Sequence, residues 1–277
     1  MVDFMGKSDI LIFAPHPDDE ALGCAGLIYS SIKKNKKVKV VVVANGESSV
    51  DGTERYYGHK PETQDFINIG YVRQKESVSA MKVLGLSSED VIFLGYPNDG
   101  LMEMLSSDKY DKESPYKSEF THFDRVSYEN SYSMGAPFCK ESFYSDIKSI
   151  FNECRPREVY VTHPLDSHFD HQACGRYISS YVKQLDNSIR VLCYVISPSK
   201  IPSPKQSLVY KLAGQMTERH LDKTAKEMKK RFMDEYKSQS YLFDQVAFHF
   251  NVERYWKLKR GVRAKIAKKI FPNLRFL

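Results

Sequence analysis

The chain has 277 residues, of which 42% are hydrophobic and 27% are charged, and its formal net charge at pH 7 is +6. This composition is ordinary for a soluble globular protein and argues against a disordered chain, and the length suits one large α/β domain or one domain with an appended segment. The longest apolar run, residues 38–44, is far too short to span a bilayer, and the first residues lack a signal-peptide pattern. We therefore expect a cytoplasmic protein.

The cysteines support the same expectation. They are odd in number, widely spaced and mostly set among apolar residues, at Cys24, Cys139, Cys154, Cys174 and Cys193. Buried free thiols account for this pattern better than a disulfide framework or a cysteine-rich metal site.

The first predicted strand, residues 9–13, runs directly into the sequence Ala-Pro-His-Pro-Asp-Asp-Glu at residues 14–20. One histidine and three carboxylates thus follow a buried strand, where open α/β sheets place their ligands. The same residues would also start a helix well, because Pro17 suits the first helical position and acidic groups complement the helix dipole. Taken alone, this stretch leaves both interpretations open.

Further along the chain, apolar runs alternate with helical patterns. Predicted strands cover residues 38–44, 90–95, 158–162 and 190–196, and predicted helices cover residues 21–29, 71–84, 143–154 and 172–185. Residues 51–69 are polar and are assigned to a loop. The alternation predicts right-handed βαβ units and a mostly parallel sheet flanked by helices.

Residues 101–140 form an insertion without clear periodicity, rich in tyrosine, phenylalanine, serine and charge. A long irregular segment inside a compact domain is usually functional, often a lid over a site. The alternative is a surface insertion without a role.

A Pro/Ser/Lys-rich stretch at residues 197–206 divides the chain. We assign residues 1–200 to the core domain and residues 201–277 to a helical C-terminal part that packs on it, with one helix over residues 217–236. This part ends in a basic tail, residues 256–277, with eight lysines and arginines and no acidic residue. Four-residue spacing of Leu258, Val262, Ile266 and Ile270 predicts an amphipathic helix, which either lies on a membrane or packs on the domain.

A second cluster, residues 163–171, also follows a predicted strand and holds three histidines and two aspartates. If the two strands are close in the sheet, their loops converge. Two histidines and one carboxylate can then bind a divalent ion and leave a coordination position open for catalysis. We predict that His16, Asp19 and His171 bind Zn²⁺, with Fe²⁺ as the alternative metal.

The remaining polar groups of the two clusters suggest catalytic roles. Asp18 lies beside a predicted ligand and can accept a proton from water. His168 can polarise a carbonyl or stabilise an oxyanion. Asp170 could hold His168 in the required tautomer.

Several motifs, taken together and in order, resemble those of the PIG-L/LmbE family of zinc-dependent N-deacetylases. They lie at residues 15–20, 72–76, 94–97, 162–164 and 166–171, with a weaker echo at residues 236–239. The resemblance implies a Rossmann-like, LmbE-like fold and hydrolysis of the acetamide of an N-acetylglucosamine-type sugar.

By position, the resemblance implies the metal and catalytic roles given above and adds a substrate contact. Arg73 matches a family residue that contacts the polar or anionic aglycone. The alternative for Arg73 is a surface helix arginine that pairs with Glu76.

The sequence also departs from the family pattern. The usual Tyr-Pro-Asp-Gly contains one more residue here, so substrate binding falls to either Asn98 or Asp99. Some members carry a tyrosine two residues before the electrophilic histidine, where this chain has Asp166. A tyrosine acting as general acid would therefore come from the insertion or not exist.

The sequence thus predicts a metal-dependent hydrolase that removes the N-acetyl group from an N-acetylglucosamine-type sugar in a glycoconjugate. Its partner is a small-molecule or lipid-linked sugar, the latter if the basic tail contacts the inner membrane face. An alternative is an amide or ester hydrolase acting on a thiol-linked sugar, a nucleotide sugar or an antibiotic. The third option, nucleic-acid binding through the tail, lacks a recognised motif, and we expect no nucleic-acid partner.

Overall fold

The structure, a computed structural model, describes residues 7–196, 214–243 and 251–258. Within these residues seven strands form one sheet in the order β3-β2-β1-β4-β5-β7-β6. The strands are β1 (Ile10–Ala14), β2 (Val38–Ala44), β3 (Val91–Tyr96), β4 (Glu158–Thr162), β5 (Arg190–Tyr194), β6 (Gly214–His220) and β7 (Val252–Leu258). The first five pair in parallel, and β7 runs antiparallel to both β5 and β6. The predicted mostly parallel sheet is confirmed.

Helices cover both faces of this sheet. They are α1 (Asp19–Ile32), α2 (Val50–Tyr57), α3 (Thr63–Val83), α4 (Leu101–Ser106), α5 (Lys140–Cys154), α6 (Phe169–Ala173), α7 (Ser179–Leu185), α8 (Lys223–Met233) and α9 (Ser240–Phe243). Successive strand side chains point to opposite faces, so Leu11 and Phe13 pack in one apolar cluster and Ile10 and Ile12 in the other. Because both faces are covered, β1 and β2 are buried throughout and appear in the sequence as unbroken apolar runs. All five cysteines are buried free thiols, as predicted.

The assignment of residues 51–69 to a loop is wrong, since α2 and the first turns of α3 occupy them. Helix α2 buries only Gly52 and Thr53, and the rest of its residues face solvent at least in part. A surface helix with so little buried area carries no apolar stripe from which its period can be read.

The insertion, residues 101–140, covers the edge of the sheet beside β3. The backbone N–H of Tyr132 donates to the Phe93 carbonyl at 2.7 Å, and Ser131 forms a parallel bridge with Phe93. Several of its apolar side chains, among them Val126 and Phe138, are buried in the core. An open edge would expose unpaired backbone groups, so the insertion completes β3 rather than standing apart from it.

The predicted helix over residues 217–236 is partly wrong, because β6 occupies Gly214–His220 and α8 begins only at Lys223. All of β6 beyond Gly214 is exposed or half-buried, so this edge strand lacks the apolar alternation that marks a half-buried strand. Its partner β7 lies more than thirty residues away in sequence. The C-terminal part therefore extends the sheet as well as adding helices.

The basic tail beyond residue 258 lies outside the described residues, so its amphipathic helix stays a prediction. Among the residues that the structure describes, no helix is long and apolar enough to cross a membrane.

A buried ion pair joins the C-terminal part to the middle of α1. Lys229 and Glu253 have fully buried side chains 3.1 Å apart between Nζ and Oε1. The Lys229 ammonium donates to the Leu22 carbonyl at 2.5 Å, and the Glu253 carboxylate accepts from the N–H groups of Gly26 and Leu27 at 2.7 and 2.9 Å. Each charge is thus paired and also hydrogen-bonded to the helix backbone, which is what a buried pair requires.

Replacing Glu253 with alanine should destabilise the fold by about 3–5 kcal/mol, because it leaves the Lys229 ammonium buried without a counter-charge. Chemical denaturation followed by circular dichroism would measure the loss. Glu218→Ala is the matched control, since Glu218 forms a partly exposed pair with Arg254 and should cost about 1 kcal/mol or less. Equal losses of stability for the two variants would mean that the buried pair of Lys229 and Glu253 contributes no more than the partly exposed pair.

Candidate active site

Loops from neighbouring strands meet at the carboxyl edge of the sheet. Strand β1 lies between β2 and β4, so the two His/Asp clusters that follow β1 and β4 face each other, as the sequence predicted. One cavity of about 360 Å³ at this edge is lined by eight of the nine predicted site residues: His16, Asp18, Asp19, Arg73, Asn98, Asp99, His168 and His171. The ninth, Asp170, is fully buried and does not line it.

Three donor atoms, which we call the donor triangle, converge on one point of the cavity. His16 Nδ1 lies 3.3 Å from Asp19 Oδ2, His171 Nε2 lies 3.2 Å from the same oxygen, and the two ring nitrogens are 3.3 Å apart. Ligand distances of about 2.0–2.2 Å around a tetrahedral Zn²⁺ place neighbouring donors about 3.3–3.6 Å apart. Two imidazoles and one carboxylate with this spacing fit a divalent metal ion.

The ring nitrogens turned away from the triangle are each held by a carboxylate. His16 Nε2 lies 3.1 Å from Asp170 Oδ2, and His171 Nδ1 lies 3.1 Å from Asp166 Oδ1. A carboxylate partner of this kind fixes which nitrogen carries the proton and leaves the other free to bind metal. Both imidazoles are therefore oriented as ligands.

The electrostatics of the triangle favour a cation. Burial alone lowers the pKa of His16, but hydrogen bonds to Asp170 and Asp19 outweigh it and raise that pKa to about 9. Burial also opposes charge on His171, yet Asp19 and Asp166 hold its pKa well above the usual value. Burial raises the pKa of Asp19, and the adjacent His171 and His16 more than reverse this and keep it ionised. The same field that retains protons on the rings would attract a metal ion in their place.

His168 lies beside the donor triangle, and its ring can donate a hydrogen bond. Its Nδ1 accepts from the backbone N–H of Asp170 at 3.2 Å, so the Nε2 atom carries the proton of the neutral ring. Burial, helped by His16 and His171, lowers the pKa of His168 to about 4, which keeps the ring neutral at pH 7. Three ring nitrogens, one from each of His16, His168 and His171, lie within 4.8 Å of one another. The donor triangle is tighter than this group and includes a carboxylate.

The structure corrects how Asp170 holds His168, because the contact is made by the backbone N–H of Asp170 and not by its carboxylate. The Asp170 carboxylate contacts His16 and accepts from the backbone N–H groups of Asp99 and Leu101 at 2.6 and 3.2 Å. It therefore ties the loop after β3 to the loop after β4. Sequence reasoning assigned no role to Asp166, whose place in a His/Asp-rich loop was the available signal.

Asp18 is held in an unusual conformation by Arg73. Its φ of 103° lies in the left-handed region, which a non-glycine residue adopts only under constraint. The Arg73 guanidinium lies 3.3 Å from Asp18 Oδ2 and donates to the carbonyls of Pro17 and Gly46 at 2.6 and 2.8 Å. A Cβ at Gly46 would lie 1.7 Å from that guanidinium, so only glycine fits there. Burial raises the pKa of Asp18 to about 7, although Arg73 opposes the rise.

Arg73 is only 4% exposed, so the alternative of a surface arginine paired with Glu76 is wrong. Glu76 instead accepts from the backbone N–H and the hydroxyl of Ser238 at 2.8 and 2.6 Å. This contact fastens the segment at residues 236–239 beside the cavity, where Gln239 is one of the lining residues.

Asn98 and Asp99 both reach the cavity, and Ser48 links them. The Asn98 amide donates to the Ser48 hydroxyl, which donates to Asp99 Oδ2 at 2.5 Å. The Asp99 side chain is 47% exposed and its Oδ1 lies 3.5 Å from His168 Nε2. Asp99 therefore has the more accessible polar group of the two.

The helix that carries His171 is packed unusually closely against β4. A π-helical turn, Cys174–Ile178, joins α6 to α7, and a Cβ at Gly175 would lie 2.5 Å from the Thr162 carbonyl oxygen. The Thr162 hydroxyl donates to the His171 carbonyl at 2.8 Å. Glycine at this position thus lets the helix hold His171 against the strand end.

None of the residues of the insertion, 101–140, all of which the structure describes, lines the cavity, so its role as a lid stays a prediction. The described lining residues also include no tyrosine. A tyrosine acting as general acid is thus not among the residues that the structure places at this cavity.

Asp166→Asn should weaken zinc binding by about 10–100-fold, because the amide no longer fixes the tautomer of His171 as the carboxylate does. Competition with a chromophoric chelator would measure the affinity. Asp186→Asn, at an exposed position distant in sequence from the cluster, is the control and should bind zinc like the unmodified protein. Unchanged affinity in Asp166→Asn would show that its contact with His171 does not support binding.

Comparison with known proteins shows a family that the chain resembles over most of its length. The sequence profile described as PIG-L, GlcNAc-PI de-N-acetylase, matches residues 11–182. A probable N-acetyl-alpha-D-glucosaminyl L-malate deacetylase 2 of Bacillus subtilis (strain 168) is 23% identical over 198 residues, which are 70% of each chain.

Solved structures agree with the fold. The A40926 pseudoaglycone deacetylase superposes with a TM-score of 0.60 at 15% identity, covering 92% of this chain and 99% of the other. The zinc-inhibited form of teicoplanin deacetylase gives a TM-score of 0.55 at 16% identity, covering 91% and 98%. At such identities these structures show a shared fold and do not by themselves fix a substrate.

Proposed function

The chain belongs to the PIG-L family of deacetylases, and we propose that it is a metal-dependent hydrolase that removes the N-acetyl group from an N-acetylglucosamine-type sugar in a glycoconjugate. The observation that carries this proposal is the donor triangle of His16, Asp19 and His171 with the carboxyl of Asp18 beside it in one cavity.

His16, Asp19 and His171 would hold the metal, which we propose is Zn²⁺, with Fe²⁺ as the alternative. A divalent ion bound there supplies Lewis-acid polarisation of the acetamide carbonyl and makes water more acidic. The open side of the triangle faces the cavity, so substrate can approach it.

Asp18 acts as the general base. It accepts a proton from the attacking water as the new C–O bond forms at the acetamide carbonyl and the carbonyl electron pair moves onto its oxygen. A carboxyl with a pKa of about 7 gains and loses protons readily at neutral pH, as this role requires. Arg73 keeps Asp18 directed into the cavity and is a positioning residue.

His168 stabilises the developing negative charge. The hydrogen bond that Nδ1 accepts leaves the proton of the neutral ring on Nε2. The ring can therefore donate a hydrogen bond from Nε2 to the oxyanion. When the C–N bond breaks, protonated Asp18 delivers its proton to the leaving amine, which releases acetate and the free amino sugar. Asp99, with Asn98 and Ser48 behind it, is placed to bind sugar hydroxyls.

The substrate could also be another acylated molecule, such as a thiol-linked sugar, a nucleotide sugar or a glycosylated antibiotic. The likeness to a malate-conjugate deacetylase and to an antibiotic deacetylase supports including both classes in a test. We further propose that the conjugate is lipid-linked and that residues 256–277 contact an anionic membrane. Failure of the full-length chain to sediment with anionic vesicles would remove that part of the proposal.

The decisive experiment is acetate release from a panel of N-acetylglucosaminides by protein as purified, after metal stripping, and after return of zinc or iron(II). Zinc should be returned at one equivalent per chain first, because a similar deacetylase has a zinc-inhibited form. Activity lost on stripping and restored by metal supports the proposal. A metal-loaded protein that releases acetate from no member of the panel would contradict it.

A further inference from the structure

The cavity has a polar floor and an apolar wall. The donor triangle lies at the floor, and the wall is formed by Leu22 of α1, Ile196 after β5, and Leu242 and Phe243 of α9. Leu22 and Ile196 are buried, whereas Leu242 and Phe243 are half-buried. The wall therefore combines buried and partly exposed apolar side chains.

Among the described lining residues there is no lysine, and the one arginine, Arg73, already has partners for its terminal nitrogens, although its buried Nε has none. Both terminal nitrogens of Arg73 are bonded, one to the Gly46 carbonyl and the other to the Pro17 carbonyl and Asp18. A carboxylate or phosphate brought against the wall would lose water without gaining a counter-charge, which is unfavourable. The wall thus disfavours the anionic aglycone that the sequence resemblance implied for Arg73.

The chemistry of the substrate decides which group meets the wall. The acetyl group must lie at the floor, where it is cleaved. The aglycone is joined to the ring carbon next to the one that bears the acetamide, so it leaves the sugar close to the reacting carbonyl and lies among the residues that line the cavity. Apolar side chains among those residues stabilise an apolar aglycone by removing its surface from water.

We propose that the substrate carries an uncharged apolar aglycone, an alkyl or aryl group, that packs against Leu22, Ile196, Leu242 and Phe243. This inference rests on the proposed function and names its substrate class. It concerns the part of the sugar conjugate that is not cleaved.

The test compares methyl, hexyl and malyl N-acetylglucosaminides below the concentration at which the hexyl compound forms micelles. The metal-loaded protein should show kcat/KM at least about tenfold higher for the hexyl than for the methyl compound, with the malyl compound no better than methyl. Phe243→Ala should lower the hexyl-to-methyl ratio severalfold. Met134→Ala, which removes an exposed apolar side chain of the insertion, is the matched control and should leave the ratio unchanged.

A second variant guards against simple misfolding. Leu242→Lys places a cation on the wall, so it should raise kcat/KM for the malyl compound while lowering it for the hexyl compound. Loss of structure cannot produce that gain.

Two results would overturn the inference. They are equal rates for the methyl and hexyl compounds, and a preference of the unmodified protein for the malyl compound. Absence of acetate from all three compounds would instead overturn the proposed function, together with the inference that rests on it.

Discussion

Asp18→Asn is expected to lower the rate of acetate release by about 10²–10⁴-fold, because an amide of the same shape cannot accept the proton of the attacking water. The carboxyl is prepared for this task by burial, which raises its pKa to about 7 against the opposing charge of Arg73. The variant should still bind metal, since Asp18 is outside the donor triangle. Steady-state kinetics and metal analysis of the same preparation would show both effects.

The control for this experiment is Asp51→Asn, which removes an exposed carboxyl from the first turn of α2 and should retain full activity. An Asp18→Asn protein that binds metal and hydrolyses substrate at the normal rate would exclude Asp18 as the base. The base would then have to be another group at the cavity, and His168 is the nearest alternative.

His171→Ala is expected to abolish activity and to weaken zinc binding by more than about 100-fold, because it removes one of three donors. The unmodified protein should bind one ion per chain, lose activity when the ion is stripped and regain it when zinc returns. The variant should stay inactive at one equivalent of zinc. Metal content by mass spectrometry and acetate release would be measured together.

His59→Ala, at an exposed position on the surface, is the matched control and should bind metal and catalyse normally. Circular dichroism should show that both variants are folded. Stoichiometric zinc in His171→Ala with normal affinity would mean that the donor triangle is not the metal site. Normal activity in stripped protein would remove the metal from the proposed mechanism.

The parallel core was predictable because its strands are buried on both faces. In β1 and β2 every position must be apolar or fully satisfied, so the runs stand out from the polar segments between them. Two of the segments that sequence reasoning misassigned, α2 and β6, bury little surface. Where neighbours impose no apolar pattern, local sequence contains little information about the element.

The chemical types of the site residues were also predictable. Histidine and aspartate directly after two strands are sufficient to suggest a metal centre, and all the predicted residues except Asp170 line one cavity. Their partners were not. The contact of Asp170 with His16 joins residues 154 positions apart, and that of Arg73 with Asp18 joins residues 55 positions apart.

The sequence by itself therefore determined which groups are present, and where along each strand they fall, because local patterning specifies strand ends and helix starts. Only the tertiary structure decided that Asp170 and Asp166 orient the two histidines, that the insertion covers the β3 edge, and that α9 contributes side chains to the cavity lining. These contacts depend on the strand order and on the packing of distant segments. Strand order depends on how much apolar surface the whole chain buries. That quantity cannot be read from any single stretch of the sequence.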